Sequence, residues 1–304
     1  MCINEGFVES NGHRLAFLAV NEQLQKENND PVIVFIHGVL ASLRFWLDFV
    51  PKSFKKSVVW YSLSLPAHYP SQVPQDFQEG QVHDDWFFRV MNDAIKKLVG
   101  KKKVIVVGHS TGGFCALNLA IHKAPNVAAV ISVAGFHNGQ WGGAEGLLVR
   151  LAGMGSWTKP IFVANLAIAQ QLSFLRRLFA GSLTKDILAS LSNPLNDQML
   201  TNIQPDTSKQ DYADLFPLFH GINNIEIANK LKEIRIPCFI FAGTHDPIVL
   251  LAQSRLLSTE IPNAKTVIFE AVGHMPFIEA NDRYLIELEN ALAEIQETLR
   301  NQKG

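Results

Sequence analysis

The segment Gly-His-Ser-Thr-Gly at residues 108–112 constrains the fold of this chain more than any other stretch. It follows an apolar run at 104–107, typical of a buried strand, and it precedes a segment of helical character. A serine between two glycines here predicts a sharp strand-to-helix turn, because a side chain on Gly108 or Gly112 would crowd the neighbouring backbone. Such a turn lifts the hydroxyl of Ser110 out of the strand. By itself the pattern is weak evidence, since Gly and Ser are common in ordinary turns.

A serine hydroxyl becomes an effective nucleophile when a base takes its proton and an acid orients that base. Candidates for both follow later strands. An apolar run at 236–242 leads to Asp246, and a second run at 265–270 leads to His274. Each side chain is therefore expected just past the carboxyl end of its strand, and the chain order is serine, aspartate, histidine.

A fourth segment follows an earlier apolar strand at 31–36 and reads His37-Gly38-Val39. The oxyanion of a tetrahedral intermediate needs two preorganised N–H donors, one from the residue after the nucleophile and one from the loop after this early strand. The backbone amides of Thr111 and Val39 are the candidates.

Together these segments resemble the α/β-hydrolase family over about residues 7–300, with one poorly matching insertion. The resemblance implies an α/β fold with a mostly parallel eight-stranded sheet, helices on both faces and an inserted helical cap. It also implies that Ser110, Asp246 and His274 form a catalytic triad and that His37 supports the oxyanion loop. One departure is visible at 62–71, where relatives often carry an acid and further glycines. The shape of that loop is therefore not predicted.

The wider pattern agrees with this fold class. Asn11-Gly12 between two alternating segments at 7–20 predicts a hairpin. After the hairpin, strand patterns alternate with helix patterns, which favours a parallel sheet. We expect strands at 31–36, 57–62, 103–108, 127–134, 236–242 and 265–270. We expect helices at 42–50, 82–99, 111–123, 248–258 and 282–300.

Between the fourth and fifth of these predicted strands lies a stretch without strand patterns. We interpret residues 136–235 as a helical cap and residues 1–135 and 236–304 as the core domain. Helical spacing is clearest in one apolar series, which comprises Phe162, Leu166, Ala169, Leu172, Leu175 and Leu178. The apolar residues of 147–179 could pack the cap onto the core, line a tunnel for an acyl chain, or form a lid at a membrane surface. Arg150, Lys159, Arg176 and Arg177 are few cations for the last role.

The composition of the chain excludes several classes of protein. A chain of 304 residues with 47% hydrophobic content can bury a large core. A net charge of −1 gives no field for gathering nucleic acid. Cys2, Cys115 and Cys238 are too few and too scattered for a disulfide framework. With no signal-peptide pattern and no membrane-spanning run, we expect a soluble cytoplasmic protein without stable membrane insertion.

No nucleotide-binding glycine pattern or metal-ligand spacing is present in the sequence, so no cofactor and no metal are expected. Asp246 also has a structural alternative, as the N-cap of a helix beginning at Pro247. Its rivals as the acid, Asp211 and Asp214, have no strand before them. His245 is expected at the edge of the pocket or in a structural role.

The sequence therefore predicts a serine hydrolase that cleaves a carboxylic ester or acyl thioester, with an apolar acyl group, through an acyl-enzyme. A carbon–carbon bond hydrolase with the same triad is an alternative, disfavoured because Met275 follows the histidine where such relatives often carry tryptophan. A ligand receptor that retains the triad is another. The partner is expected to be a small molecule, and the oligomeric state is left open.

Overall fold

The computed structural model describes residues 2–26 and 31–301. Its strands run in chain order as β1 (Ile3–Ser10), β2 (His13–Val20), β3 (Val32–Ile36), β4 (Trp60–Leu63), β5 (Val104–His109), β6 (Val127–Val133), β7 (Cys238–Gly243) and β8 (Lys265–Phe269). They form one sheet with the order β1-β2-β4-β3-β5-β6-β7-β8. The predicted mostly parallel eight-stranded sheet is confirmed.

Strand β2 runs against both of its neighbours, β1 and β4, and every other pairing is parallel. The predicted hairpin joins β1 to β2 through Asn11 and Gly12, which have φ values of 47° and 81°. Asn-Gly suits this turn because both positions need positive φ. Every residue of β3, β5, β6 and β7 is buried, as expected for parallel strands covered on both faces.

Thirteen α-helices lie in the described part of the chain. They are α1 (Trp46–Phe49), α2 (Lys52–Ser57), α3 (Asp84–Val99), α4 (Thr111–Ile121), α5 (Gly143–Gly153), α6 (Lys159–Gln171), α7 (Ser173–Gly181), α8 (Ile187–Leu191), α9 (Pro194–Thr207), α10 (Tyr212–Asn223), α11 (Leu251–Glu260), α12 (Pro276–Glu279) and α13 (Asn281–Asn301). Short 3₁₀ helices occur at Glu22–Lys26, Leu43–Phe45, Ser156–Thr158 and Ala228–Glu233. None of the described helices is long and apolar enough to cross a membrane.

Helices α5 to α10 fill the connection between β6 and β7. Helix α5 packs against α10, where the His220 Nδ1 atom donates a hydrogen bond to the carbonyl of Ala152 at 2.9 Å. Phe162 of α6 stacks edge-on against Phe216 and Phe219 of α10. These aromatic contacts join the inserted helices into one packed layer.

Three helix predictions need correction. The helix expected at 42–50 is a 3₁₀ turn followed by the short α1, and the chain becomes extended at Val50, as the residue before a proline prefers. The helix expected from residue 248 begins at Leu251, because the Asp246 carboxylate binds the amides of the preceding turn. The apolar series that starts at Phe162 crosses two helices, since Leu172 is extended and separates α6 from α7. Helix α2 was not predicted.

Candidate active site

Ser110 occupies the turn between β5 and α4. Its backbone has φ 52° and ψ −116°, a conformation that residues with a side chain rarely adopt. Two backbone bonds hold the turn: the Ser110 amide donates to Val133 O at 2.9 Å, and its carbonyl accepts from the Phe114 amide at 2.9 Å. The strained backbone is thus fixed by the neighbouring strand on one side and the helix on the other.

The two glycines that flank the serine allow this turn to pack. A Cβ atom on Gly108 would lie 2.0 Å from Gly112 O, and one on Gly112 would lie 2.2 Å from Ile36 O. Both distances are far inside van der Waals contact, and the obstructing atoms are backbone atoms that cannot rotate away. The turn therefore packs directly on the carboxyl end of β3.

Asp246 and His274 lie at the same edge of the sheet and are hydrogen-bonded to each other. The His274 Nδ1 atom donates to Asp246 Oδ2 at 2.8 Å. The other carboxylate oxygen, Oδ1, accepts from the amides of Ile248 at 2.8 Å and Val249 at 2.9 Å. Both oxygens of Asp246 are therefore committed, and the orientation of the histidine ring is fixed. The catalytic and the capping interpretations of this aspartate describe two different oxygens.

The electrostatics of this pair favour a basic histidine. Burial disfavours the imidazolium, but the adjacent carboxylate of Asp246 outweighs burial and raises the pKa of His274 above its ordinary value. The His274 Nε2 atom is buried and has no hydrogen-bond partner among the described residues, and the same is true of Ser110 Oγ. Two reactive atoms are thus left unpaired in the interior.

Glu279 shapes the loop that carries His274, and the sequence analysis did not identify it. Its carboxylate accepts from the amides of Gly273 at 3.0 Å, Met275 at 3.3 Å and Lys185 at 2.9 Å. The amide of His274 itself donates to Leu183 O at 2.9 Å. Residues of the inserted helices therefore hold the histidine loop from outside the sheet.

The loop after β3 approaches the serine closely. A Cβ atom on Gly38 would lie 3.0 Å from the Cβ of Ser110, so a larger residue would press on the Ser110 side chain. Val39 lines the same cavity as Ser110. Thr111 begins α4, and its backbone N–H belongs to the first turn, whose amides have no intrahelical acceptor. Both candidate donors for an oxyanion thus lie beside the serine.

Two buried histidines support this loop. His37 Nδ1 donates to Gly38 O at 2.7 Å, while its Nε2 accepts from the Leu65 amide at 3.2 Å. His68 Nδ1 donates to Pro66 O at 2.9 Å, and its Nε2 accepts from the Leu40 amide at 3.1 Å. Each ring uses one nitrogen as donor and one as acceptor, which requires the neutral form. Burial lowers the pKa of His37 to about 3 and that of His68 to about 4.

The sequence departs from the family pattern at 62–71 and did not predict the shape of that loop. In the structure this loop carries His68. Ala67 has a φ of 63°, in the left-handed region that usually favours glycine. The His68 side chain then reaches the positive-φ residue Leu40 of the loop after β3. His68 is thus buried beneath the loop after β3.

Ser110 and His274, whose Oγ and Nε2 atoms are unpaired, line the same cavity. Of the other predicted site residues, Gly38 and Val39 line it, whereas His37, Gly108, Thr111, Gly112 and Asp246 lie behind its wall. Most of the remaining lining is apolar: Leu40, Ala41, Phe45, Phe179, Ala180, Leu183, Met199, Leu200, Ile203 and Met275. Side chains from both the sheet loops and the inserted helices therefore enclose the site.

Glu145 is the main residue of this cavity that sequence reasoning missed. It is 3% exposed, and its Oε2 atom has no hydrogen-bond partner in the described chain. Burial raises its pKa to about 7. Helical spacing places Glu145 on the same face of α5 as Leu148, Val149 and Ala152, which are buried, but nothing in the sequence marks that face as the buried one.

Other candidates lie elsewhere. His245 is exposed, and its ring bonds the Thr244 hydroxyl at 2.9 Å, so it is outside the cavity lining. Asp211 caps α10 through the amide of Ala213. Among the residues that the structure describes, no group of three or more His, Cys, Asp or Glu side chains is arranged to hold a metal ion.

Comparison with known proteins identifies the family. A family model described as the alpha/beta hydrolase fold matches residues 31–281, which is most of the chain. The chain belongs to the alpha/beta hydrolase fold family. The protein is accordingly a hydrolase, and the resemblance seen in the sequence is confirmed.

Individual relatives of this α/β hydrolase are distant. It is 22% identical to a proline iminopeptidase of Lactobacillus helveticus, over 96% of this chain and 98% of that protein. It is 24% identical to a pimeloyl-[acyl-carrier protein] methyl ester esterase of Legionella pneumophila strain Paris, over 60% of this chain and 68% of that protein. Peptidase and esterase names thus occur at similar identity.

Solved structures agree on the fold. The esterase RhEst1 from Rhodococcus sp. ECU1013 superposes with a TM-score of 0.71 at 17% identity, covering 97% of this chain and all of that one. The enol-lactonase from Burkholderia xenovorans LB400 gives a TM-score of 0.68 at 18% identity, with 95% of this chain and 100% of that chain covered. At these identities the likeness establishes the fold and leaves the substrate open.

Proposed function

We propose that this α/β hydrolase is a serine hydrolase in which Ser110 is the nucleophile, His274 the base and Asp246 the orienting acid. The observation that carries the proposal is the 2.8 Å bond from His274 to Asp246, together with the unpaired His274 Nε2 and Ser110 Oγ atoms at one cavity. A base oriented by a carboxylate, with its second nitrogen free toward a serine, is the arrangement that activates a hydroxyl.

The reaction follows from these roles. Ser110 Oγ attacks the acyl carbon while His274 Nε2 takes the hydroxyl proton, and the carbonyl oxygen gains the negative charge. The amides of Val39 and Thr111 stabilise that charge, and losing one such donor typically costs about 100- to 1,000-fold in rate. His274 then returns the proton to the leaving group. A water molecule, deprotonated by the same nitrogen, releases the acid and restores the serine.

For the substrate, we propose a carboxylic ester or acyl thioester with an apolar acyl group. Supporting this, the cavity wall beyond the reacting atoms consists mainly of aliphatic and aromatic side chains. We also propose that residues 136–235 act as a cap over a core of residues 1–135 and 236–304. Leu183, Met199 and Ile203 line the cavity from this segment, which fits a role in selecting the acyl group.

The test is hydrolysis of a p-nitrophenyl ester series from acetyl to palmitoyl by the wild type and by Ser110→Ala. Ser132→Ala is a matched control, because Ser132 is also buried with an unpaired hydroxyl but lies on β6, outside the cavity lining. A fluorophosphonate label followed by peptide mass spectrometry reports the modified serine independently of the substrate.

Turnover that peaks at medium or long chains, is lost in Ser110→Ala and survives in Ser132→Ala is the expected result. Labelling of Ser110 without ester turnover would reject the esterase proposal and favour the carbon–carbon hydrolase. A single turnover followed by a stall would favour the receptor. Labelling that persists in Ser110→Ala would reject the nucleophile itself.

Glu145 favours a second candidate function, release of an amino-terminal residue from a peptide. A buried carboxylate without a partner is costly unless it meets a hydrogen-bond donor or a cation. A substrate with a free amino group at the acyl side would supply one, and the relative in Lactobacillus helveticus is named a proline iminopeptidase. Prolyl p-nitroanilide and its N-acetyl form distinguish the two candidates. Cleavage of the free amine alone, lost in Glu145→Gln, would favour the peptidase.

A further inference from the structure

The exposed apolar side chains of this protein are concentrated in one segment. Large hydrophobic residues with high exposure outside it are scattered, as Ile3, Phe7, Leu250 and Ile286. We define the 147–188 face by the other ten such residues: Leu147, Met154, Trp157, Ile161, Ile168, Leu172, Phe174, Leu178, Ile187 and Leu188. A concentration of this kind is uncommon on a soluble monomer and marks an interaction surface.

Helical spacing shows that the exposure is organised. On α6, Ile161 and Ile168 are two turns apart and exposed, while Phe162 and Leu166 of the same helix are buried. Helix α6 thus packs one apolar face on the protein and turns a second apolar face to solvent. A helix packed on one side only normally carries polar residues on the other.

Helices α5 and α7 continue the same surface. Leu147 of α5 and Met154 at the C-cap of that helix are exposed two turns apart, and Phe174 and Leu178 are exposed one turn apart on α7. The three helices contact one another in sequence order. A groove between them is lined by residues of all three: Ala144, Leu147, Leu148, Leu151, Asn165, Leu166, Ala169 and Phe179.

The charge on this segment is mainly positive. Residues 147–188 contain one acidic residue, Asp186, although the whole chain carries a net charge of −1. The segment contains five basic residues: Arg150, Lys159, Arg176, Arg177 and Lys185. Among the described residues only Arg177 of these forms an ion pair, with Asp197. Arg150 and Arg176 donate hydrogen bonds to the carbonyls of Trp141 and Gln170. Lys159 and Lys185 form no ion pair or side-chain hydrogen bond with the described residues and are therefore the cations most available to an external anion.

The 147–188 face is also continuous with the candidate active site. Phe179 lines both the groove between the helices and the cavity that holds Ser110, and Arg176 lines the cavity too. An apolar molecule that reached this face would therefore lie next to the entrance of the cavity.

We propose that the 147–188 face is a docking surface for an anionic lipid bilayer. Apolar side chains on three adjacent helices would enter the headgroup region, as in interfacial amphipathic helices. The cations of the segment are few, as the sequence indicated, but those near the surface would meet lipid phosphates and add to the apolar binding. Trp157 suits the boundary between water and acyl chains. A second copy of this chain fits less well, because a two-fold contact would set one cationic face against another. The proposal concerns binding and does not depend on the catalytic assignment.

Co-sedimentation with vesicles tests the proposal directly, using phosphatidylcholine alone and a mixture with about one third phosphatidylglycerol. The apolar variant is Leu147→Gln, Ile168→Gln and Phe174→Gln together, one substitution on each helix. Its matched control is Ile3→Gln, Leu250→Gln and Ile286→Gln, three exposed residues outside the face. None of the six lines the cavity. Circular dichroism and thermal unfolding establish that both variants are folded.

The wild type is expected to bind the anionic vesicles and to lose most of that binding in high salt or on phosphatidylcholine alone. The apolar variant should bind at least tenfold more weakly, and the control should match the wild type. Lys159→Gln and Lys185→Gln should each weaken binding about fivefold.

Several results would overturn the proposal. One is a folded wild type that stays in the supernatant with anionic vesicles, and another is equal binding by the apolar variant. A dimer in analytical ultracentrifugation that the apolar variant dissociates would assign the face to a second copy.

Discussion

Acid should destabilise this protein through the two histidines that support the oxyanion loop, and His68→Gln is the variant that isolates the effect. His68 is neutral in the folded state, where its Nε2 accepts from the amide of Leu40. Glutamine removes the titrating group, and its amide can still offer one acceptor and one donor. At neutral pH the variant is expected to be less stable than the wild type, because the replacement fits the two partners less well.

The magnitude follows from linkage. With a folded-state pKa of about 4 and an ordinary value of 6.5 in the unfolded chain, protonation favours the unfolded state as soon as the pH falls below 6.5. Between pH 7 and pH 5 this one group should remove about 2 kcal/mol from the free energy of unfolding. The stability is therefore fully present above the unfolded pKa and is lost as the pH falls. His37, with a folded-state pKa of about 3, should contribute a similar amount.

Urea unfolding at pH 7 and pH 5, followed by tryptophan fluorescence, measures the effect. The quantity of interest is the loss of unfolding free energy between the two pH values, which should be smaller by about 2 kcal/mol in His68→Gln than in the wild type. His245→Gln is the control, because that side chain is exposed, and it should behave as the wild type. Equal losses in wild type and His68→Gln would refute the reasoning, since His68 would then not be held neutral by its surroundings.

Two further predictions concern the strand ends. Gly112→Ala should lower the free energy of unfolding in urea by about 4 kcal/mol or more, because its Cβ would lie 2.2 Å from Ile36 O. Gly80→Ala, where no atom lies within 4 Å and φ is 88°, should lower it by only about 1–2 kcal/mol. Equal losses in the two variants would contradict the packing argument. In the pH profile of kcat/KM for an ester, activity should fall below a pKa that lies above 6.5, because protonated His274 cannot accept the serine proton. Asp246→Asn should lower the rate about 10,000-fold and move this acidic limb to lower pH, since it removes the carboxylate that contributes most to raising the pKa of His274 against burial; an unmoved limb would contradict the assigned cause.

The parts of the fold that sequence predicted are those in which local and tertiary requirements coincide. The strand before Ser110 is apolar because both faces of a parallel sheet are covered, and the glycines beside the serine are required by contacts of the same turn. Asp246 and His274 each follow a strand directly, so their meeting at one sheet edge needed only the strand count. Their hydrogen bond is consistent with that expectation.

The loops between these strands were less predictable because their partners are remote in sequence. His68 bonds the amide of Leu40, 28 residues away, and Glu279 bonds the amide of Lys185, 94 residues away. No periodicity marks such pairs. The predicted start of α11 was wrong for a related reason. The amides after Asp246 donate hydrogen bonds to its side chain, so the helix begins three residues later than predicted, at Leu251.

Helix α5 shows why the sequence could not say which way the inserted helices face. It has two apolar stripes, one through Leu148 and Ala152 and one through Leu147 and Met154. By spacing, each stripe includes one charged residue, Glu145 on the first and Arg150 on the second, so polarity alone does not decide which stripe faces solvent. The structure buries the stripe with Glu145 and exposes the one with Leu147 and Met154. Packing alone gives no reason for either choice, whereas a charged cavity wall and a lipid-facing surface would require both. The vesicle and Glu145→Gln experiments therefore examine the two faces of one helix, and each can fail without the other.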